Sequence, residues 1–149
     1  MFPLPLPMRR ALDAARAAAA SGEVPVGAVV TRGDVIVAVA ANAPRALHDP
    51  TAHAEMLAIR AAAATLGDDR LSECDLYVTL EPCAMCAGAI ALARIARLYW
   101  AAPDPKGGAV EHGPRLFAQP TCHHRPQLFG GIGEGEAAAL LRDFFAARR

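Results

Sequence analysis

The chain has 149 residues, an apolar fraction of 54% inflated by alanine, and 15 basic residues balanced by 15 acidic ones. That length predicts one domain, residues 1–149, with a core large enough to fold alone. A formal net charge of zero excludes a global field drawing the protein to nucleic acid or anionic lipid, and leaves only a local patch for either. Lys106 is the single lysine and the other basic residues are arginine. Codon bias explains this more economically than phosphate recognition by guanidinium forks.

Residues 1–7 alternate proline with apolar residues and read as an irregular arm. Met1 to Met8 has no apolar core of signal-peptide length, and no run reaches transmembrane length, since Arg16 breaks Ala14 to Ala20. With no secretory signal, the four cysteines (Cys74, Cys83, Cys86 and Cys122) belong to a reduced, cytoplasmic setting with no membrane association, where they bind metal or stay free. Met8 to Ser21 is predicted helical, with Met8, Leu12, Ala15 and Ala19 on one face and Gly22 ending it. Val24 to Thr31 and Val35 to Ala40 are β-rich runs around a Gly33-Asp34 turn, predicting a mostly buried hairpin. Gly27 within the first run marks a close approach to the backbone, by a ligand or by a tightly packed helix. Asn42 is by default a turn residue.

Pro50 pushes Asp49 away from helix, and Thr51 can cap a helix running to about Leu66, with Met56, Leu57, Ile59 and Ala63 apolar. Asp75 to Leu80 is a third strand. It leads into a helix from Cys83 to about Ala93, with Met85, Ala89, Ile90 and Leu92 apolar. Ile95 to Ala101 is a fourth strand, and its Tyr99 and Trp100 are read as core rather than as substrate-stacking residues. The stretch from Asp104 to Pro126 is irregular. Its Cys122-His123-His124 is read as loop in preference to a second metal site. Leu128 to Ile132 is a short fifth strand, and Glu134 to Arg149 a closing helix whose charge order suits the helix dipole. Strands alternating with helices after a hairpin imply an α/β layer structure with a mixed sheet.

Two stretches carry chemistry: His53-Ala54-Glu55 and Pro82-Cys83-Ala84-Met85-Cys86. Alone, C-x-x-C could be a redox pair or part of a structural zinc site, and H-x-E a solvated helix face. Together they supply one imidazole and two thiolates, the three-ligand set of a catalytic Zn²⁺ with one position left open. Cys83 at a helix start favours thiolate. Glu55, near the metal without ligating it, is placed to act as base toward a water held there.

These motifs resemble the zinc-dependent cytidine and adenosine deaminase superfamily, whose signature is H-x-E followed by P-C-x-x-C. The resemblance is strongest to the bacterial tRNA-specific adenosine deaminases and covers most of the chain. It rests on Glu23 to Val29, on Asn42 with His48 to Glu55, on Leu76 to Ala89, on Asp104, Lys106 and Gly108, and on Asp143-Phe144-Phe145 with Arg148. It implies a three-layer α/β/α cytidine-deaminase-like fold with a central mixed five-stranded sheet. It also implies a homodimer that converts the wobble adenosine of a tRNA anticodon to inosine. One Zn²⁺ per chain would be held by His53, Cys83 and Cys86, with Glu55 as proton shuttle. Asn42 would contact the flipped nucleotide, and Val26 and the backbone near Ala28 would line the base pocket. Lys106, Phe145 and Arg148 would lie near the anticodon stem-loop. The small residues Ala84, Ala87, Gly88, Ala89 and Ala91 suit either a subunit contact or tight packing within one chain. The sequence departs from the family's loop between Val110 and His124. That keeps open a free-base or nucleoside deaminase acting on guanine or cytosine, and behind it a non-catalytic zinc-stabilised interaction module.

Overall fold

A computed structural model describes residues 3–148 of the chain. Helix α1 spans Leu6–Ala20, strand β1 Gly27–Arg32 and strand β2 Val35–Ala41. A four-residue turn of helix, α2, spans Pro44–Leu47, and α3 follows at Ala54–Leu66. Then come β3 at Cys74–Leu80, α4 at Ala84–Ala93 and β4 at Arg97–Ala102. After a 3₁₀ turn at Leu116–Ala118, β5 spans Gln127–Phe129 and α5 spans Glu134–Ala146. The strands form one mixed sheet in the order β2-β1-β3-β4-β5. β1 pairs antiparallel with β2 and β3, while β3, β4 and β5 run parallel. This is the expected α/β/α layering.

Strand alternation divides the core in two. Ala28, Val30, Leu76, Val78, Leu98 and Trp100 face α3 and α4. Val29, Tyr77, Tyr99 and Ala101 face α1 and α5. Ile90 and Leu98 are fully buried, and each such side chain contributes about 1.5–3 kcal/mol relative to exposure. Trp100 is core, as expected, and Tyr99 stacks between Tyr77 and Phe129 with ring centroids 4.4 and 4.8 Å away. A Cβ on Gly27 would run into the Ala11 carbonyl of α1. The glycine therefore serves helix-on-strand packing, not a ligand's approach.

Several elements differ from expectation. The helix expected from Met8 begins at Leu6, with Pro7 in its first turn, where the missing N–H costs nothing. Residues 1 and 2 of the expected arm, and Arg149, lie outside the described residues. The hairpin is not uniformly buried: β1 is, but β2 is an edge strand with Val35 and Val39 exposed. On α3 the buried residues are Ala54, Glu55, Ala58 and Ala62, and the larger Met56, Leu57 and Ile59 are only half-buried. On α4 they are Cys86, Ala87, Ile90 and Ala93, and Leu92 is 80% exposed. Mostly small residues turned inward let both helices lie close to the sheet. α5 stops at Ala146, and Arg148 closes it by donating to the Phe144 carbonyl at 3.0 Å.

Candidate active site

α3 and α4 both start at the same end of the sheet. His53 is the N-cap of α3 and Cys83 the N-cap of α4, each with extended backbone, and Cys86 lies in the first turn of α4. Thr51, expected to cap α3, is turned away: its N–H and hydroxyl both donate to Asp49 Oδ1, at 2.8 and 2.7 Å. Asn42 does that work from another part of the chain, its Oδ1 accepting the Ala54 N–H at 2.8 Å.

His53 Nδ1 lies 3.6 Å from Cys83 Sγ and 3.5 Å from Cys86 Sγ. All three donor atoms fall within 4.8 Å of one another. A tetrahedral Zn²⁺ with ordinary Zn–N and Zn–S distances holds its N and S donors about 3.6 Å apart. The triangle fits one Zn²⁺, and three protein donors leave a fourth position open. Cys86 is fully buried and Cys83 half-buried. The Cys83 thiol is brought down to about 5, chiefly by its hydrogen bond with Cys86, against the effect of burial. Cys86 moves the other way, raised by that same hydrogen bond and then by burial. Both sulfurs must be deprotonated to hold a cation, so metal binding here is coupled to proton release.

Glu55 is 4% exposed, and burial raises its carboxyl to about 7. It lines, with His53 and Cys83, a cavity of about 370 Å³, within the range of roughly 300–1,000 Å³ for small-ligand pockets. Val24, Val26, Asn42, Pro44, Leu80, Glu81, Asp104 and Gly107 complete the wall. Val26 and Asn42, expected to meet the base and the nucleotide, both lie in this wall. Ala28 is fully buried in β1, in register with Ala40 and Val78, and is not a lining residue. Lys106 is exposed on the loop between two lining residues, Asp104 and Gly107. Arg148 lies in a groove of about 210 Å³ that shares Val24, Asn42 and Pro44 with the cavity, beside Phe144 and Arg45. Its guanidinium sits 3.5 Å from the Phe144 ring centre. Phe145, 48% exposed, faces a separate hollow with Leu141, Arg142 and Ala146.

Cys122, His123 and His124 do not converge on a common point: Cys122 Sγ donates to the His124 carbonyl and His124 Nε2 pairs with the Ile95 carbonyl. The sequence reading gave no role to Glu23 or Glu81, both buried beside the site. The available signal was a lone carboxylate next to an apolar strand: Glu23 before Val24-Pro25-Val26, and Glu81 between Leu80 and Pro82.

Residues 6–102 match the family model described as the cytidine and deoxycytidylate deaminase zinc-binding region. The chain is 54% identical over 142 residues to a tRNA-specific adenosine deaminase of Agrobacterium fabrum, covering 95% of this chain and 93% of that one. A solved structure from a study of A-to-I editing by tRNA:A34 deaminases superposes with a TM-score of 0.90 at 54% identity, over 91% of this chain and 99% of that one. A guanine deaminase from Nitrosomonas europaea superposes with a TM-score of 0.77 at 26% identity, over 94% and 83% of the two chains. With the zinc-ligand triangle inside the matched span, this chain belongs to the cytidine and deoxycytidylate deaminase zinc-binding family.

Proposed function

We propose that this chain is a zinc-dependent hydrolase that converts adenosine to inosine at the wobble position of a tRNA anticodon. The observation that carries the reaction is the buried Glu55 in one cavity with the three-donor metal site. The similarity to a tRNA-specific adenosine deaminase over nearly the whole chain supports the substrate.

Zinc, when bound, supplies the Lewis acidity that makes a water nucleophilic near neutral pH. His53, Cys83 and Cys86 hold it. Glu55, with a carboxyl near 7, takes a proton from the attacking water, passes it to the ring nitrogen N1, and then assists transfer to the departing amine. The C6–O bond forms as N1 is protonated; the proton of the new C6 hydroxyl then goes to the amine, the C6–N bond breaks, and ammonia leaves the C6 carbonyl of inosine. Burial keeps Glu55 basic enough for this shuttle near neutral pH. Val26 and Asn42 orient the base and ribose. Lys106 and Arg148, together with Phe145 from its separate hollow on α5, meet the anticodon stem-loop, whose unstacked bases can enter a cavity closed to a duplex.

Two further properties belong to this reading. The enzyme acts as a homodimer, supported by the small-residue face of α4 and its exposed Leu92; sedimentation showing only monomer at micromolar concentration would remove this part. It works in the cytoplasm, where tRNA is found; no helix among the described residues is long and apolar enough to cross a membrane.

The deciding experiment offers an anticodon stem-loop containing the wobble adenosine, alongside guanine and cytosine. Inosine should form in the stem-loop, with far slower ammonia release from the free bases. A second reading, free-base deamination, draws on the likeness to the Nitrosomonas guanine deaminase. It takes over if a free base is turned over while the stem-loop stays unmodified.

A further inference from the structure

Three carboxylates are buried among the described residues: Glu23, Glu55 and Glu81. Glu55 serves the reaction. The other two each gather backbone N–H groups from a different stretch of the cavity wall.

Glu81 stands at the end of β3, two residues before Cys83. Its Oε2 accepts the N–H groups of Val110, Glu111 and His112 at 3.1, 2.9 and 3.1 Å. Its Oε1 accepts the Asp104 N–H at 3.0 Å and pairs with His112 Nδ1 at 2.8 Å. Residues 104–112 are thus wound around one side chain. A Cβ on Gly108 would lie 2.5 Å from Glu81 Oε2, so only glycine lets the loop close this tightly. Asp104 and Gly107 of that loop line the cavity, and Lys106 sits between them. Glu81, Glu111 and His112 also come near enough to hold a metal. The five hydrogen bonds to Glu81 give that carboxylate its partners within the chain, so loop anchoring accounts for the cluster.

Glu23 does the same for another stretch. Its two oxygens accept the N–H groups of Arg45 and Ala46 at 3.2 and 2.8 Å. That fixes α2, whose Pro44 lines the cavity. A carboxylate suits both places because it is acceptor-only at both oxygens and makes stronger bonds to N–H than a neutral group does. A glutamine of the same shape would turn an NH₂ toward donors and leave them unpaired.

We propose that Glu81 and Glu23 are positioning residues, each locking one stretch of the cavity wall, and that together they set how tightly the substrate nucleotide is held. This rests on the deaminase reading for its kinetic consequence, but not for its structural one.

The test compares Glu81→Gln, Glu23→Gln and wild type by amide deuterium exchange, by zinc content, and by KM and kcat on the wobble-adenosine stem-loop. Glu81→Gln should speed exchange at Asp104 and at Val110 to His112 by at least tenfold while leaving Arg45 and Ala46 protected. Glu23→Gln should show the reverse pattern. In each, KM should rise by more than kcat falls. General destabilisation would instead loosen both stretches together. Unchanged exchange in the targeted stretch overturns the proposal, as does a loosened stretch with unchanged KM. If Glu81→Gln does not fold or loses zinc, His112→Ala removes one of the five bonds. A local rise in exchange with a several-fold rise in KM then supports the idea, and no change in either rejects it. If wild type leaves the stem-loop unmodified, the functional reading fails, and the exchange patterns still judge the clamps.

Discussion

Asn42 Oδ1 accepts the Ala54 N–H at 2.8 Å, so a residue at the end of the hairpin caps the helix that carries Glu55. The same side chain lines the cavity. Under the proposed function, its NH₂ would be the donor it presents to the nucleotide. Asn42→Ala should therefore cost about 1 kcal/mol of stability, the usual size of a lost cap, and also lower kcat/KM. Asn42→Asp retains the acceptor and should keep stability within about 0.5 kcal/mol, while still losing at least tenfold in kcat/KM. Thermal denaturation and stem-loop kinetics on the pair separate the two roles. Equal activity of Asn42→Asp and wild type would show that the amide touches no substrate.

Purified protein should contain about one zinc per chain, the occupancy of a three-donor catalytic site. Metal analysis of Cys86→Ala should find it lost. Stoichiometric zinc in a Cys83→Ala, Cys86→Ala double variant would place the metal elsewhere.

Glu55→Ala should keep zinc and fold but lose turnover by at least ~10²-fold, the low end for removing a general acid/base. Single-turnover kinetics at saturating stem-loop make the comparison. Near-normal kcat would assign the proton shuttle to another group.

RNA affinity must come from local contacts, since the net charge is zero. The salt dependence should be shallow, corresponding to about two to four phosphates. Arg148→Ala should reduce that slope by about one. Phe145→Ala should cost roughly 1–3 kcal/mol if one base stacks on it. Neither should alter zinc content. A free-base enzyme would be indifferent to both changes, so unchanged stem-loop kinetics in Arg148→Ala would count against the RNA reading.

Glu136 on α5 joins α1 through Arg9, at 2.7 Å, and through Arg16. Burial alone would raise its pKa, but the hydrogen bonds from Arg9 and Arg16 outweigh it and the carboxyl is lowered. A lowered folded-state pKa adds stability above the unfolded value of about 4.3, and that stability is lost as pH falls through the folded value. Because all three side chains are partly solvated, the contribution after screening is at most about 1 kcal/mol. Glu136→Gln should be less stable than wild type by that amount at pH 7 and converge with it at acid pH, below the lowered folded value. Urea unfolding at the two pH values measures it; a constant gap across that range would mean the ion pair is not its source.

The three metal-donor residues, the place of Glu55 beside them and the order of the main strands and helices were legible in the sequence because each depends on short-range pattern. His53-Ala54-Glu55 and Pro82-Cys83-Ala84-Met85-Cys86 each fall within about one helical turn, and strands announce themselves by β-rich runs. Which faces of α3 and α4 turn inward was not legible. Hydrophobic periodicity favours Met56, Leu57 and Leu92, but the depth of the helices on the sheet selects alanine at the contact. The same holds for the cap on α3. Thr51 is the local candidate, yet Asn42, twelve residues away, takes the Ala54 N–H because the hairpin end and the helix start meet only in the folded chain. Glu81 is the clearest case. Sequence shows one carboxylate before a proline; the tertiary structure supplies five donors, four of them backbone N–H groups spread over residues 104–112. Backbone donors have no sequence signature of their own, so the residue that gathers them is identified only when the loop has closed around it.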